Sequence, residues 1–260
     1  MPGRATANAD KRALIIGVSN YQPPTVPTLG GAGDAAATRD LLLQDGWPAS
    51  QIRTLIDGKA TAANIRAGFQ WLAQASTPSS FSVFHYSGHT KQKALPPGQT
   101  DGEQYHEFMW SVDNQHISDN ELAAAMNQVQ GKLWVDMSAC EAAGFDNGIS
   151  GADRLFTAAS QENEKAYEMA NGGRSVFNQL IVSSLSGGAS IQQAEATAAE
   201  AAPRLTANQQ PYGPQNPVIA GGDGSDWFLK PPSSPPGPLD GLTAVLSGLL
   251  GPLVPQTPGH

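Results

Sequence analysis

Cysteine is almost absent from this sequence: Cys140 is the only one. Without a second thiol no intramolecular disulfide can close, so the fold must stand on its core. Cations are also scarce, with 15 Lys and Arg against 23 Asp and Glu and a formal net charge of −8. A nucleic-acid partner is therefore not expected, because phosphate contacts need clustered Lys and Arg. Basic peptides would instead be attracted. No apolar run is long enough for an integral membrane span, and "ALIIGV" (13–18) has the length of a buried strand. The start also lacks the apolar stretch of a secretory leader, so the expected location is cytoplasmic.

Glycine and proline are plentiful, 28 and 20 residues, and with abundant Ala they announce long loops. Residues 1–11 are polar and expected to be disordered. The span 12–230 is long enough to bury one sizeable core. From 231 to 260 the composition turns Pro-rich, marking a tail outside the domain. Its apolar piece "LTAVLSGLL" is too short to span a bilayer. It either docks back on the domain or meets a partner or membrane surface.

Between the loops, strand-like and helix-like segments alternate. Strands are expected at 13–18, 51–57, 81–87, 132–140 and 154–160, with a further extended stretch at 106–113. Helices are expected from Asp34, whose carboxylate is a plausible N-cap, to Gly46 just past the end. A second runs through "TAANIRAGFQWLAQAS", where Ile65, Phe69 and Leu72 recur at helical spacing. A third starts at Ser118, with Glu121 completing a capping-box pattern. Two more cover 172–185 and 190–202. Strands alternating with helices on crossovers of this length imply an α/β fold: a three-layer α-β-α sandwich with a mostly parallel central sheet.

In such sheets chemistry gathers beyond the carboxyl ends of the strands. Two expected strands end in reactive residues, "FSVFHYSGH" at His89 and "KLWVDMSAC" at Cys140. If the strands are neighbours, imidazole and thiol emerge at one edge. The base can then deprotonate the thiol for attack on a carbonyl and protonate the leaving amine. The plainer reading is that Cys140 is a small buried hydrophobe and His89 a loop residue. His85 and His89 are four apart, but Phe, Val and Tyr around them favour a strand, and no Glu follows His85, so a zinc helix is not expected.

"FHYSGH", followed by "LWVDMSACEAAGF", resembles the caspase and metacaspase superfamily of cysteine peptidases, of the bacterial metacaspase-like kind. The 51-residue interval between His89 and Cys140 fits that superfamily. "KRALIIGVSNY", "LGGAGDA" and "ISDNELAAAM" resemble its opening strand, its first-loop segment and the helix before its nucleophile strand. The resemblance covers roughly residues 12–185. It implies the caspase fold, with Cys140 as nucleophile and His89 as general acid/base. The backbone amides of Thr90 and Cys140 would form the oxyanion hole, and Asp34, Ser87 and Ser138 would line the pocket for the P1 side chain.

Three departures from the family pattern matter. Thr90 replaces a glycine, although its N–H remains. Ser138 replaces the acid two residues before the nucleophile; Asp136, on the same strand side, either stands in for it or is merely a polar strand-end residue. Gly31 stands where the family has Cys. Asp34 then either lines the pocket or caps its helix, and the pocket reading implies cleavage after Arg or Lys.

No cofactor is required by the sequence. Many metacaspases need calcium, but Asp101, Glu103, Asp113 and Asp146 show no ligand spacing. Glu162, Glu164 and Glu168 could favour a basic substrate or form an exposed face. The expected activity is that of a cysteine endopeptidase acting on protein or peptide substrates. The alternatives are a non-catalytic caspase-fold binding module and another thiol hydrolase or acyltransferase with the same dyad.

Overall fold

The chain opens with three strands: β1 (Lys11–Gly17) and β3 (Phe81–Ser87), which are apolar and central, and β2 (Ile52–Ile56), which lies at the sheet edge beside β1. The computed structural model describes residues 10–21, 26–96, 98, 104–170, 172–231 and 254–255. Next come β4 (Thr90–Ala94), β5 (Tyr105–Trp110), β6 (His116–Ser118), β7 (Lys132–Ser138), β8 (Arg154–Ala158), β9 (Tyr167–Glu168), β10 (Val218–Gly221) and β11 (Val254–Pro255). A six-stranded sheet has the order β10-β8-β7-β3-β1-β2. Its first five strands in the chain run parallel, and the edge strand β10 is antiparallel to β8. β1, β3 and β7 are buried on both faces, as central parallel strands must be, and this is why they read as continuous apolar runs.

Alternation along these strands feeds two cores. Leu14, Ile16, Phe84 and Val135 pack with Ile65, Phe69 and Leu72 of α2 (Ala62–Ala75) and with Leu122 and Met126 of α3 (Asp119–Met126). Ala13, Ile15, Val83 and Trp134 face the other way. They meet α1 (Gly31–Gln44), α4 (Val176–Ser186) and α5 (Ile191–Leu205). The result is the three-layer sandwich expected from the sequence.

Local chemistry differs from expectation at two helix starts. Asp34 lies inside the first turn of α1, whose N-cap is Gly30 without a side-chain cap. The Asp34 carboxylate instead reaches across to β3 and α4. At α3, Ser118 Oγ accepts from Glu121 N, but the Glu121 carboxylate is held by Arg66 at 2.5 and 2.9 Å rather than returning to the cap. The complete capping box is at Ser190 and Gln193 of α5.

The expected extended stretch at 106–113 proves to be β5, the middle strand of a separate antiparallel sheet, β4-β5-β6. β9 pairs antiparallel with β11. The chain stays packed through Leu229, whose carbonyl accepts from Lys11 Nζ at 2.7 Å and Trp47 Nε1 at 3.1 Å. Residues 1–9 and all of the tail segment "LTAVLSGLL" lie outside the described residues. Among those described, no helix is long and apolar enough to cross a membrane.

Candidate active site

β3 and β7 are adjacent and parallel, with Phe81 opposite Lys132 and Ser87 opposite Ser138. Two residues past each end lie His89 and Cys140, so both candidate groups leave the sheet at one edge. The strand-to-loop turn at Gly88 is tight: a Cβ there would stand 2.6 Å from Tyr21 Oη and 2.8 Å from Tyr86 Oη. Those two hydroxyls hold the backbone that follows. His89 N donates to Tyr21 Oη at 2.7 Å, and Tyr86 Oη donates to His89 O at 2.6 Å.

The His89 ring is fixed as well. It packs against Tyr21 and Trp110, with centroids 5.1 and 6.4 Å away, and Nε2 lies 2.8 Å from Pro27 O. A carbonyl only accepts, so Nε2 carries a proton in this contact, and in the neutral ring Nδ1 keeps the lone pair. Burial lowers the His89 pKa, and the bond to Pro27 partly offsets it. The resting imidazole is therefore neutral at pH 7, the form required of a base.

Cys140 approaches from the other core. Its thiol sits among Ala159, Ala166 and Tyr167 and is 5% exposed. Sγ accepts from Ala166 N at 3.4 Å and faces Ala166 O at 3.9 Å. Burial first and Glu141 second push the thiol up to about 12, against smaller lowering effects from the Ala166 amide and Lys165. The resting sulfur is thus a thiol and not a thiolate.

Thr90 joins the two loops. Its hydroxyl lies 2.9 Å from Cys140 O and 3.0 Å from Glu141 Oε2, both acceptors for its one proton. Glu141 takes a left-handed turn, φ 48°, directly after the nucleophile candidate, and is ion-paired with Lys165. Trp110 N donates to His89 O, so the next antiparallel pair, Thr90 with Met109, is a non-hydrogen-bonded one. The Thr90 amide therefore points away from β5.

The expected pocket residues also converge. Asp34 accepts from Ser87 Oγ at 2.8 Å and from Ser175 N at 3.0 Å, with Arg174 Nε 3.6 Å away. Burial raises the Asp34 pKa, while Ser175, Ser87 and Arg174 pull it back. Ser138, across from Ser87, is buried and its hydroxyl has no hydrogen-bond partner among the described residues. Asp136 does not join them. Its carboxylate is 2.6 Å from His85 Nδ1 and accepts from Thr157 Oγ1 at 2.9 Å, within the layer under α5.

The sequence profile of the caspase domain family matches residues 10–221. The chain belongs to the caspase domain family. Metacaspase-3 of Arabidopsis thaliana is 36% identical over 90 residues, 32% of this chain and 25% of that protein. Metacaspase-1 of Mycosarcoma maydis is 32% identical over 126 residues, 45% of this chain and 31% of that one. The matches thus span about a quarter to a third of these relatives. Among solved structures, protein GSU0716 of Geobacter sulfurreducens aligns with a TM-score of 0.62 at 15% identity, over 82% of this chain and 94% of its own. Caspase-1 of Spodoptera frugiperda aligns at 0.60 and 11%, over 87% and 92%. The second alignment shows the caspase fold.

Several residues of this candidate site were not legible beforehand. Tyr21, Pro27, Lys165, Ser175 and Arg174 come from loops, where no periodicity marks them. Glu168 separates from its acidic neighbours: Glu162 is exposed and Glu164 binds Asn216, whereas Glu168 is buried beside Gly30. Of the calcium candidates, Asp113 accepts from Ala62 N and Ser111 Oγ, and Asp146 accepts from Ser150 N. Asp101 and Glu103 lie outside the described residues. Among those described, no three His, Cys, Asp or Glu side chains group as metal ligands.

Proposed function

We propose that this caspase-family chain is a cysteine endopeptidase using Cys140 and His89, with preference for Arg or Lys at P1. The observation that carries the reading is the pairing of Ser87 with Ser138, together with a His89 ring whose Nε2 is committed to Pro27. That leaves Nδ1 as the base. As Sγ bonds to the substrate carbonyl carbon, its proton passes to Nδ1 and the carbonyl π pair moves onto oxygen. The amides of Thr90 and Cys140 receive that oxyanion. Collapse expels the amine, which takes the proton from the imidazolium and leaves a thioester on Cys140. Water, deprotonated by His89, then releases the carboxylic acid and the free thiol.

Starting from a neutral thiol and a neutral imidazole suits this sequence, since the proton moves only when substrate is present. Asp34, with Ser87 and Ser138, supports a basic P1 group. An extended basic peptide is the expected substrate segment, and the reducing cytoplasm is the compartment that keeps a lone thiol usable. A second reading, a non-catalytic binding module, is favoured by one observation, the depth at which Cys140 is packed. Reporters differing only at P1, carrying Arg, Lys or Asp, decide between the two. Turnover of Arg and Lys by wild type and none by Cys140→Ala supports the peptidase. Unchanged silence from both proteins supports the module, and preference for Asp removes the P1 assignment.

A further inference from the structure

We propose that Glu168 supplies the second carboxylate of the P1 pocket and sets its preference for a cationic side chain; the proposal deepens the function above and rests on it. Asp34 cannot carry that preference alone. Arg174, 22% exposed along its side chain, already lies 3.6 Å from Asp34 Oδ1, and two further donors satisfy the same carboxylate. A guanidinium is charged at any working pH, so Arg174 offsets most of the field that Asp34 would direct at a substrate cation. Position 138, across from Ser87, offers only a hydroxyl.

Glu168 is tied to the residues around Asp34 by two links. Gly30 N donates to Glu168 Oε2 at 3.0 Å, and Gly30 O accepts from Asp34 N at 3.0 Å, so one residue separates the two acids. Glu168 is also the bridge partner of Ser175, whose amide holds Asp34 Oδ1. Gly30 has no room for a side chain: a Cβ would come within 2.4 Å of Glu168 Oε2 and 2.7 Å of the Arg174 backbone. The carboxylate is thus pressed between the start of α1, the helix that carries Asp34, and the backbone at Arg174.

The buried Ser138 hydroxyl, without a partner among the described residues, points to a ligand for the site. A buried hydroxyl left unpaired costs free energy, and a P1 ammonium or guanidinium would satisfy it while meeting the Glu168 charge. A neutral P1 group of similar length would fill the space and gain neither contact.

The test separates binding from turnover. Labelled extended peptides ending in P1 Arg or its uncharged analogue norleucine are titrated by fluorescence polarisation against Cys140→Ala and Cys140→Ala/Glu168→Gln. Gln keeps an oxygen for Gly30 N and removes the charge. The expected result is Arg over norleucine selectivity in the first protein, reduced about tenfold or more in the second and regained when Ser138→Asp is added. Equal weakening of both peptides would show that Glu168 merely caps α1 and would overturn the proposal. Unchanged selectivity, or none in Cys140→Ala, would also overturn it. Turnover by wild type and Glu168→Gln is read in parallel. Selective binding with no turnover would remove the peptidase reading and leave the pocket assignment standing.

Discussion

Ser87 and Ser138 sit opposite each other as the last paired residues of two adjacent parallel strands. The same 51-residue offset that separates them also separates His89 from Cys140, so the interval visible in the sequence is the register of β3 on β7. A one-residue slip in that register would carry every paired side chain of one strand to the wrong face. The proposed catalytic geometry is therefore tied to the packing of the two cores.

Tyr21 is a positioning residue for His89. Tyr21→Phe keeps the ring against the imidazole and removes the oxygen that accepts from His89 N at 2.7 Å. The buried amide then costs about 1–3 kcal/mol. In reporter assays kcat is expected to fall with KM nearly unchanged. A rise in KM alone would contradict this role.

Thr90→Val removes the hydroxyl that bridges to Cys140 O and Glu141 Oε2 while keeping the backbone amide. Two acceptors lose a shared donor in a buried loop, worth roughly 1–3 kcal/mol. A lower midpoint in denaturant titration is expected, with residual activity because the amide remains. Complete loss of activity at full stability would mean that the hydroxyl itself meets the substrate.

The pH dependence of stability has a definite sign at Cys140. The folded thiol is pushed from 9.0 up to about 12. The folded state thus holds its proton more tightly than the unfolded chain, whose thiol ionises near the ordinary value. This contribution is complete below about pH 9 and is lost as pH climbs towards about 12. Tyr21 and Tyr86, also raised by burial, act in the same direction. Urea titrations at about pH 8 and about pH 10.5 should show a smaller alkaline loss for Cys140→Ala than for wild type. Equal losses would contradict the burial of the thiol.

Asp136→Ala separates scaffold from pocket. It strips His85 and Thr157 of their shared acceptor, with an expected cost of roughly 2–5 kcal/mol. The Arg-to-Asp ratio of reporter turnover should stay as in wild type. A changed ratio would place Asp136 in the pocket after all.

The parallel centre was legible because β1, β3 and β7 are buried on both faces, which demands unbroken apolar runs. The satellite sheet was not. "TKQKA" of β4 has one buried residue out of five, at Thr90, so its pattern matches a polar loop. β10 is four residues long with no buried position, a weak signal by any period. Asp34 reads as a helix cap because an acid before an Ala-rich run usually is one. Its actual partners, Ser87 and Ser175, lie 53 and 141 residues away in the chain. Glu121 was drawn from its expected cap by Arg66, on another helix. The dyad candidates could be read because strand ends announce themselves; Glu168 could be read only together with Glu162 and Glu164, since β9 is two residues long and no period sets one acid apart from the others.

The most direct test is covalent. A peptide acyloxymethyl ketone with Arg at P1, incubated with wild type and His89→Ala, is traced by intact mass and peptide mapping. The account requires one adduct, on Cys140, in wild type, and its loss or severe slowing in His89→Ala. Equal labelling of both proteins, or labelling of neither, would contradict a catalytic partnership between these two residues.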